Sequence, residues 1–142
     1  MRSRHFGGYE NAMVIPFVLP AVNFGGDVNI THLLPVPKLK ARGLAGRVLS
    51  AMILRVTEDF TGDVSDAGVR VGDGSDDDRY FDTGLAILVE TVDVGEVLEI
   101  EHDEAGGGED IERGRSSITV TCIAGATTET GIADVMLLTA WW

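Results

Sequence analysis

The chain has 142 residues, a formal net charge of −12, 18 glycines, a single cysteine and 6% aromatic residues. That length suits one domain able to bury roughly 70% of its unfolded surface without metal support, and the lone Cys122 excludes an internal disulfide framework. Many glycines and short apolar runs favour strands and turns over a helical bundle, and so acidic a body repels phosphate backbones, which argues against nucleic-acid binding by the globular part.

Residues 1–12 are polar, basic and glycine-containing, with Arg2 and Arg4 near the start, and are expected to form a flexible N-terminal arm ahead of a single domain at 13–142. The stretch His5-Phe6-Gly7-Gly8-Tyr9-Glu10-Asn11 is too polar for a secretory leader. The longest early apolar run is cut by Pro16 and Pro20, far short of the ~20 residues that span a bilayer, so no membrane anchor is expected and folding in a cytoplasm is. Residues 13–19 read as a first strand, which Pro16 confines to a sheet edge because it cannot donate a ladder hydrogen bond. A second strand is expected over 27–34, after the Phe24-Gly25-Gly26 turn. Residues 34–46, with Pro35, Pro37, Lys38, Lys40 and Arg42, read as an extended basic connection.

In residues 48–56 a period of two puts Val48, Met52, Leu54 and Val56 on one strand face, with Ser50 as a polar interruption. Phe60-Thr61-Gly62-Asp63 carries turn chemistry, Val69-Arg70-Val71 alternates again, and Asp73 to Asp78 is expected at the surface where water solvates its carboxylates. The apolar run 85–89 reads as a short buried strand. Residues 96–102 put Leu98, Ile100 and His102 on one face and Glu99 and Glu101 on a wet one; 103–115 is expected to project as a loop with almost nothing to bury. Ile118, Val120 and Cys122 alternate with threonines. In the last strand, 133–142, both faces are apolar, which suits a central strand or one covered by another subunit. Trp141 and Trp142 are too large and apolar to leave in water, so they pack in the domain or serve as subunit-interface residues. About eight short strands without a useful amphipathic helix make an all-β fold, an antiparallel β-sandwich of jelly-roll type.

No residue pattern supports catalysis. His5, His32 and His102 lack zinc spacing, the serines lack a nucleophile-elbow setting, and Gly106-Gly107-Gly108 is followed by acids that repel phosphate. Asp73, Ser75 and Asp77 offer hard oxygens at alternate positions, but the calcium-loop pattern fails: Asp78 stands where a glycine is needed and Gly84 where a glutamate is. A turn capping a strand end, with Arg79 pairing one of the acids, fits better; no cofactor or metal is assigned. Charge is segregated along the chain, with seven basic and two acidic residues in 1–55 against three basic and nineteen acidic in 56–113.

The stretch Val56-Thr57-Glu58, Phe60 and Gly62, followed by Val71-Gly72-Asp73-Gly74, Asp76, Asp78 and Arg79, resembles a segment recurring in decoration, or cement, proteins of tailed-phage capsids. The resemblance covers about a quarter of the chain and rests on turn and strand-end signals. It implies a jelly-roll-like domain outside the phage head, partnered by the major capsid protein and by itself, with a trimer favoured. On that basis Arg2, Arg4, Lys38, Lys40 and Arg42 are capsid-contact candidates, Trp141 and Trp142 are subunit-interface candidates, and the two acidic loops face solvent. A head-fibre base, head-completion or tail protein is the nearest alternative, and a calcium- or carbohydrate-binding sandwich module a more distant one.

Overall fold

Two long strands carry most of the burial, and each owes its place to its side-chain pattern. In Thr128–Trp141 the residues Ala133, Val135, Leu137 and Trp141 are fully buried while Met136 and Leu138 between them are half-buried, as a strand with one face on the core requires. The computed structural model describes residues 12–25, 28–39, 42–84 and 93–142. Within them the strands are β1 (Met13–Asn23), β2 (Ile30–Pro35), β3 (Lys38–Leu39), β4 (Arg42–Gly43), β5 (Gly46–Gly62), β6 (Gly68–Gly72), β7 (Phe81–Gly84), β8 (Leu98–Glu101), β9 (Gly106–Gly107), β10 (Ser117–Ile123) and β11 (Thr128–Trp141), with one 3-10 turn at His102–Glu104. The expected arm and the expected strand at 85–89 lie largely or wholly outside the described residues.

One sheet runs β1-β11-β5-β8, the other β2-β10-β6-β7-β9, and β3 pairs with β4 as a hairpin. All pairings are antiparallel. With the short β3, β4 and β9 set aside, every connection except the one between β6 and β7 crosses from one sheet to the other. That is the double Greek-key winding of a jelly roll. As Pro16 requires, β1 is an edge strand, paired among the described residues with β11 alone.

The inner faces meet in one core, where Val48, Ile53, Val135 and Leu137 of one sheet face Val69, Val71, Ile118 and Val120 of the other. A fully buried residue of this size is worth about 1.5–3 kcal/mol relative to its exposed state, which is why the alternation of β10 reads so cleanly. Phe24 and Phe60 close one end, their ring centroids 5.6 Å apart.

β5 departs from the sequence expectation. Its inward residues are Val48, Ala51, Ile53 and Val56; Met52 and Leu54 point outward. The cause is a pair of β-bulges, visible as register shifts between Leu138 and Thr139 and between Asp134 and Val135 of β11. Each inserts one residue on β5, Leu49 and Leu54, and each inverts the phase of the residues beyond it. The two inversions cancel, so Val48 and Val56 fall where simple alternation puts them and the middle of the strand does not. A further irregularity, between Leu19 and Val22 of β1, places Ala21 at φ 50°, and the Ala21 N–H donates to Asp134 Oδ1 at 2.9 Å.

The sandwich has two different ends. At one, the β2–β5 connection, the β6–β7 turn and the β9–β10 loop meet: Gly46 and Ile111 exchange backbone hydrogen bonds of 2.9 and 2.6 Å, and the Val36 N–H donates to Ser116 O at 2.9 Å. At the other end Asp63 and Thr127 are joined, Thr127 Oγ1 donating to Asp63 O at 2.7 Å. The 103–115 segment does not project as expected. Ile111 is fully buried, Gly106–Gly107 pairs with β7, and Arg47 Nε reaches Asp110 Oδ1 at 2.5 Å.

Candidate functional site

The stretch Val71-Gly72-Asp73-Gly74 leaves β6 and turns into the next strand around one carboxylate. Asp73 is 4% exposed, against the expectation that it is solvated. Its Oδ1 accepts from the Ser75 N–H, the Ser75 hydroxyl and the Asp76 N–H, all at 2.9 Å, while Arg79 and Arg115 approach Oδ2 at 3.2 and 3.3 Å. Tyr80, fully buried, donates its hydroxyl to Glu112 Oε2 at 2.9 Å, and Glu112 Oε1 accepts from Arg115 Nε and a terminal nitrogen at 2.9 and 2.6 Å. This network fastens the β6–β7 turn to the β9–β10 loop. The Ser75 hydrogen bonds, with those of Asp76 and the charge of Arg79 behind them, hold the Asp73 carboxyl down to about 2. Arg115 likewise lowers Glu112, and burial followed by the Glu112 hydrogen bond pushes the Tyr80 phenol up.

The two glycines of this motif are not equivalent. A Cβ on Gly72 would collide with the backbone of Asp76 and Asp77, whereas one on Gly74 would meet nothing within 4 Å. Gly72→Ala should therefore cost about 1–3 kcal/mol by overpacking, and Gly74→Ala less than about 0.5 kcal/mol, in urea unfolding of the two variants. Equal losses would show that the motif is held by backbone freedom instead of close approach.

The calcium arrangement Asp73, Ser75, Asp77 does not assemble, because the Asp73 oxygens already meet protein donors. Asp76, Asp77 and Asp78 instead bring carboxylate oxygens within 4.8 Å of one another. Arginines stand against two of them, Arg79 Nε 3.7 Å from Asp76 and a terminal nitrogen of Arg70 3.5 Å from Asp77, while a shared hydrogen bond with Asp76 raises Asp78. The arrangement accounts for these acids as an ion-paired surface turn.

Of the residues singled out in the sequence, Lys38 and Arg42 are exposed on the β3–β4 hairpin. Arg2, Arg4 and Lys40 lie outside the described residues. The hairpin borders the β9–β10 loop, where Arg113 donates to Gly43 O and Trp142 O, both at 3.3 Å. Arg79 in turn lies 3.7 Å from Glu109. The basic connection and both acidic loops thus share one end of the molecule. Trp141 is fully buried in the chain's own core, its indole N–H donating to Thr139 Oγ1 at 2.6 Å, so its ring presents no surface to a partner; Trp142 is half-buried. Cys122 is 2% exposed, and burial pushes its thiol up to about 11, which makes it an inert part of the core.

The surface that sequence reasoning found only in part, as the second apolar face of residues 133–142, is the outer face of the β1-β11-β5-β8 sheet. Cross-strand partners Val18, Met136 and Met52 form one apolar row over three strands, and Pro16 and Leu138 begin a second that ends at Ser50. Val14 and Val18 are 60% and 52% exposed, Met136, Leu138, Met52 and Leu54 are half-buried, and Glu99 and Glu101 of β8 form the rim. The outer face of the other sheet is of another kind. There Thr31 and Thr121 hydroxyls lie 3.2 Å apart, Arg70 stands 3.5 Å from Asp82, and Leu33 is the exposed exception. A contiguous apolar patch rimmed by polar residues marks an interaction surface. No family model matches the chain, and no curated protein matches it.

Proposed function

We propose that the chain is a structural protein of a tailed-phage virion that binds the outer surface of the capsid and stabilises the major capsid protein lattice, a decoration or cement protein. The motif resemblance at residues 56–79 suggests the family, and the jelly-roll winding is the architecture that resemblance implies. The observation that carries the reading is the contrast between outer faces: one sheet presents threonine and charge to water, the other valine, proline, methionine and leucine. A protein whose work is mechanical needs a broad contact more than a pocket, and several weak contacts across neighbouring capsid subunits add within one multivalent attachment. The apolar face is assigned to that contact, in place of the basic hairpin. Self-association, as a trimer on the lattice, belongs to the same proposal.

Co-sedimentation with phage heads stripped of accessory proteins tests it. Saturable binding at a fixed ratio to the capsid subunit, giving heads that better resist heat, is the expected result. Met52→Glu combined with Met136→Glu should weaken that binding about 30-fold or more, the ~2 kcal/mol of a hot-spot residue, while Thr31→Glu on the opposite face leaves it intact. No binding by the parent, or equal binding by all variants, removes the head-decorating role or the assigned face respectively.

A further inference from the structure

At one border of this apolar face lies a groove of about 390 Å³ lined by Arg47, Leu49 and Ser50 of β5, Glu99 and Glu101 of β8, the turn residues His102 and Asp103, and Leu138 of β11. Its floor is unusual in what it leaves unmade. Ser50 is 3% exposed and, among the described residues, its Oγ has no hydrogen-bond partner; the buried Nδ1 of His102 has none there either. The bulge at Leu49 explains the placement, since without it Ser50 would face the core. Instead Ser50 stands on the outer face between its cross-strand partners Leu138 and Glu101. Buried polar groups in folded proteins are satisfied with few exceptions, and two exceptions in one groove call for a hydrogen-bonding partner.

The occupant of this groove must meet three requirements. It must donate several hydrogen bonds, because the ionised carboxylates of Glu99 and Asp103 only accept, and the Ser50 hydroxyl and the His102 imidazole nitrogen can accept as well. It must be cationic, because Glu99, Glu101 and Asp103 outnumber Arg47, whose guanidinium is engaged by Asp110. And it must bring a slender apolar stem to lie against Leu49 and Leu138. A guanidinium on three methylenes, with five donors in a planar fork, meets all three. We propose that the groove receives an arginine side chain presented by the capsid subunit to which the apolar face binds, a contact that would fix register where the apolar face alone supplies only area. This rests on the capsid-decorating reading for the identity of the partner, though not for the chemistry of the groove.

The probe is acetyl-arginine-amide, titrated into the full-length protein and followed by NMR, with acetyl-citrulline-amide as its uncharged counterpart. Saturable shifts at Leu49, Ser50, His102 and Leu138 with arginine, at least about tenfold weaker with citrulline, are expected. Glu99→Gln with Asp103→Asn should weaken arginine binding about tenfold or more. Ser50→Ala should weaken it too while raising the melting temperature, because it deletes an unsatisfied hydroxyl. No saturable shift, or equal response to citrulline, overturns the groove assignment. Arginine binding by the parent together with undiminished head binding by Glu99→Gln/Asp103→Asn overturns the capsid subunit as its source and leaves the arginine site standing. A parent that fails to bind heads refutes the decorating role without altering the titration.

Discussion

Trp141→Ala is expected to remove about 3–5 kcal/mol of folding stability, the range for deleting a buried large aromatic side chain, from a total that for a domain of this size is about 5–15 kcal/mol. The ring is fully buried at the end of β11, and it lies so close to Gly46 on the neighbouring strand that a Cβ there would overlap it. Its loss leaves a cavity bounded by backbone, which collapses poorly, and takes the indole donor from the buried Thr139 Oγ1, which keeps only its own hydrogen bond to Ile15 O at 2.8 Å. Trp142→Ala should cost no more than about 1 kcal/mol, because that side chain is half-buried and the backbone hydrogen bonds of Trp142 with Ala45, 3.0 and 3.1 Å, survive the substitution. Urea unfolding at a fixed protein concentration separates the two. Should Trp142→Ala prove the more damaging, or should the Trp141→Ala loss depend on protein concentration, the indole would belong to a subunit contact after all.

The second large effect is at Asp73, and its signature is pH dependence. The folded-state pKa is held at about 2, below the ~3.9 of an unfolded aspartate. A depressed carboxylate stabilises the fold fully above its unfolded pKa and loses that contribution as pH falls through the folded value. The parent should therefore lose this part of its stability between about pH 4 and 2. Asp73→Asn keeps one acceptor oxygen but turns an amide toward Arg79 and Arg115, so it should be markedly less stable at neutral pH. The gap should close as acid is added, with a difference in slope of up to about one proton between the two proteins. Asp63, whose pKa is also lowered but which lies at the other end of the sandwich, contributes to both and drops out of the difference. A gap that stays constant from pH 6 to 2 would mean that the carboxylate charge is immaterial and only the turn geometry matters.

Much of this architecture can be read from the residues. β8, β10 and β11 alternate without interruption on their inner faces, and the edge position of β1 follows from Pro16. β5 resists reading for a physical reason: its outward side chains Met52 and Leu54 are as apolar as inward Ala51 and Ile53, so nothing in the pattern marks a phase change. The apolar outer face that makes the candidate site is the same property that hides the bulges. Ile111 is a lone hydrophobe among charges and glycines, and only its pairing with Gly46 across the fold gives it a place. Phe81 lies beside an acidic turn and falls in no expected strand, because β7 has four residues and alternates only once. Ser50 and His102 stand out in the sequence separately, fifty-two positions apart. The alignment of β8 on β5 makes them neighbours, and long-range pairing is what a single sequence does not display.

The pairing of Met13 with Trp141 bears on how the domain carries force. The first residue of β1 sits beside the last residue of β11, on adjacent antiparallel strands. Tension applied at Met13 and Trp141 would open this ladder one hydrogen bond at a time, as a zipper, because the load falls on the first pair alone. Tension spread over a sheet face loads many contacts together and must break them in parallel. This sheet therefore yields more easily when pulled at Met13 and Trp141 than when gripped across its flat side.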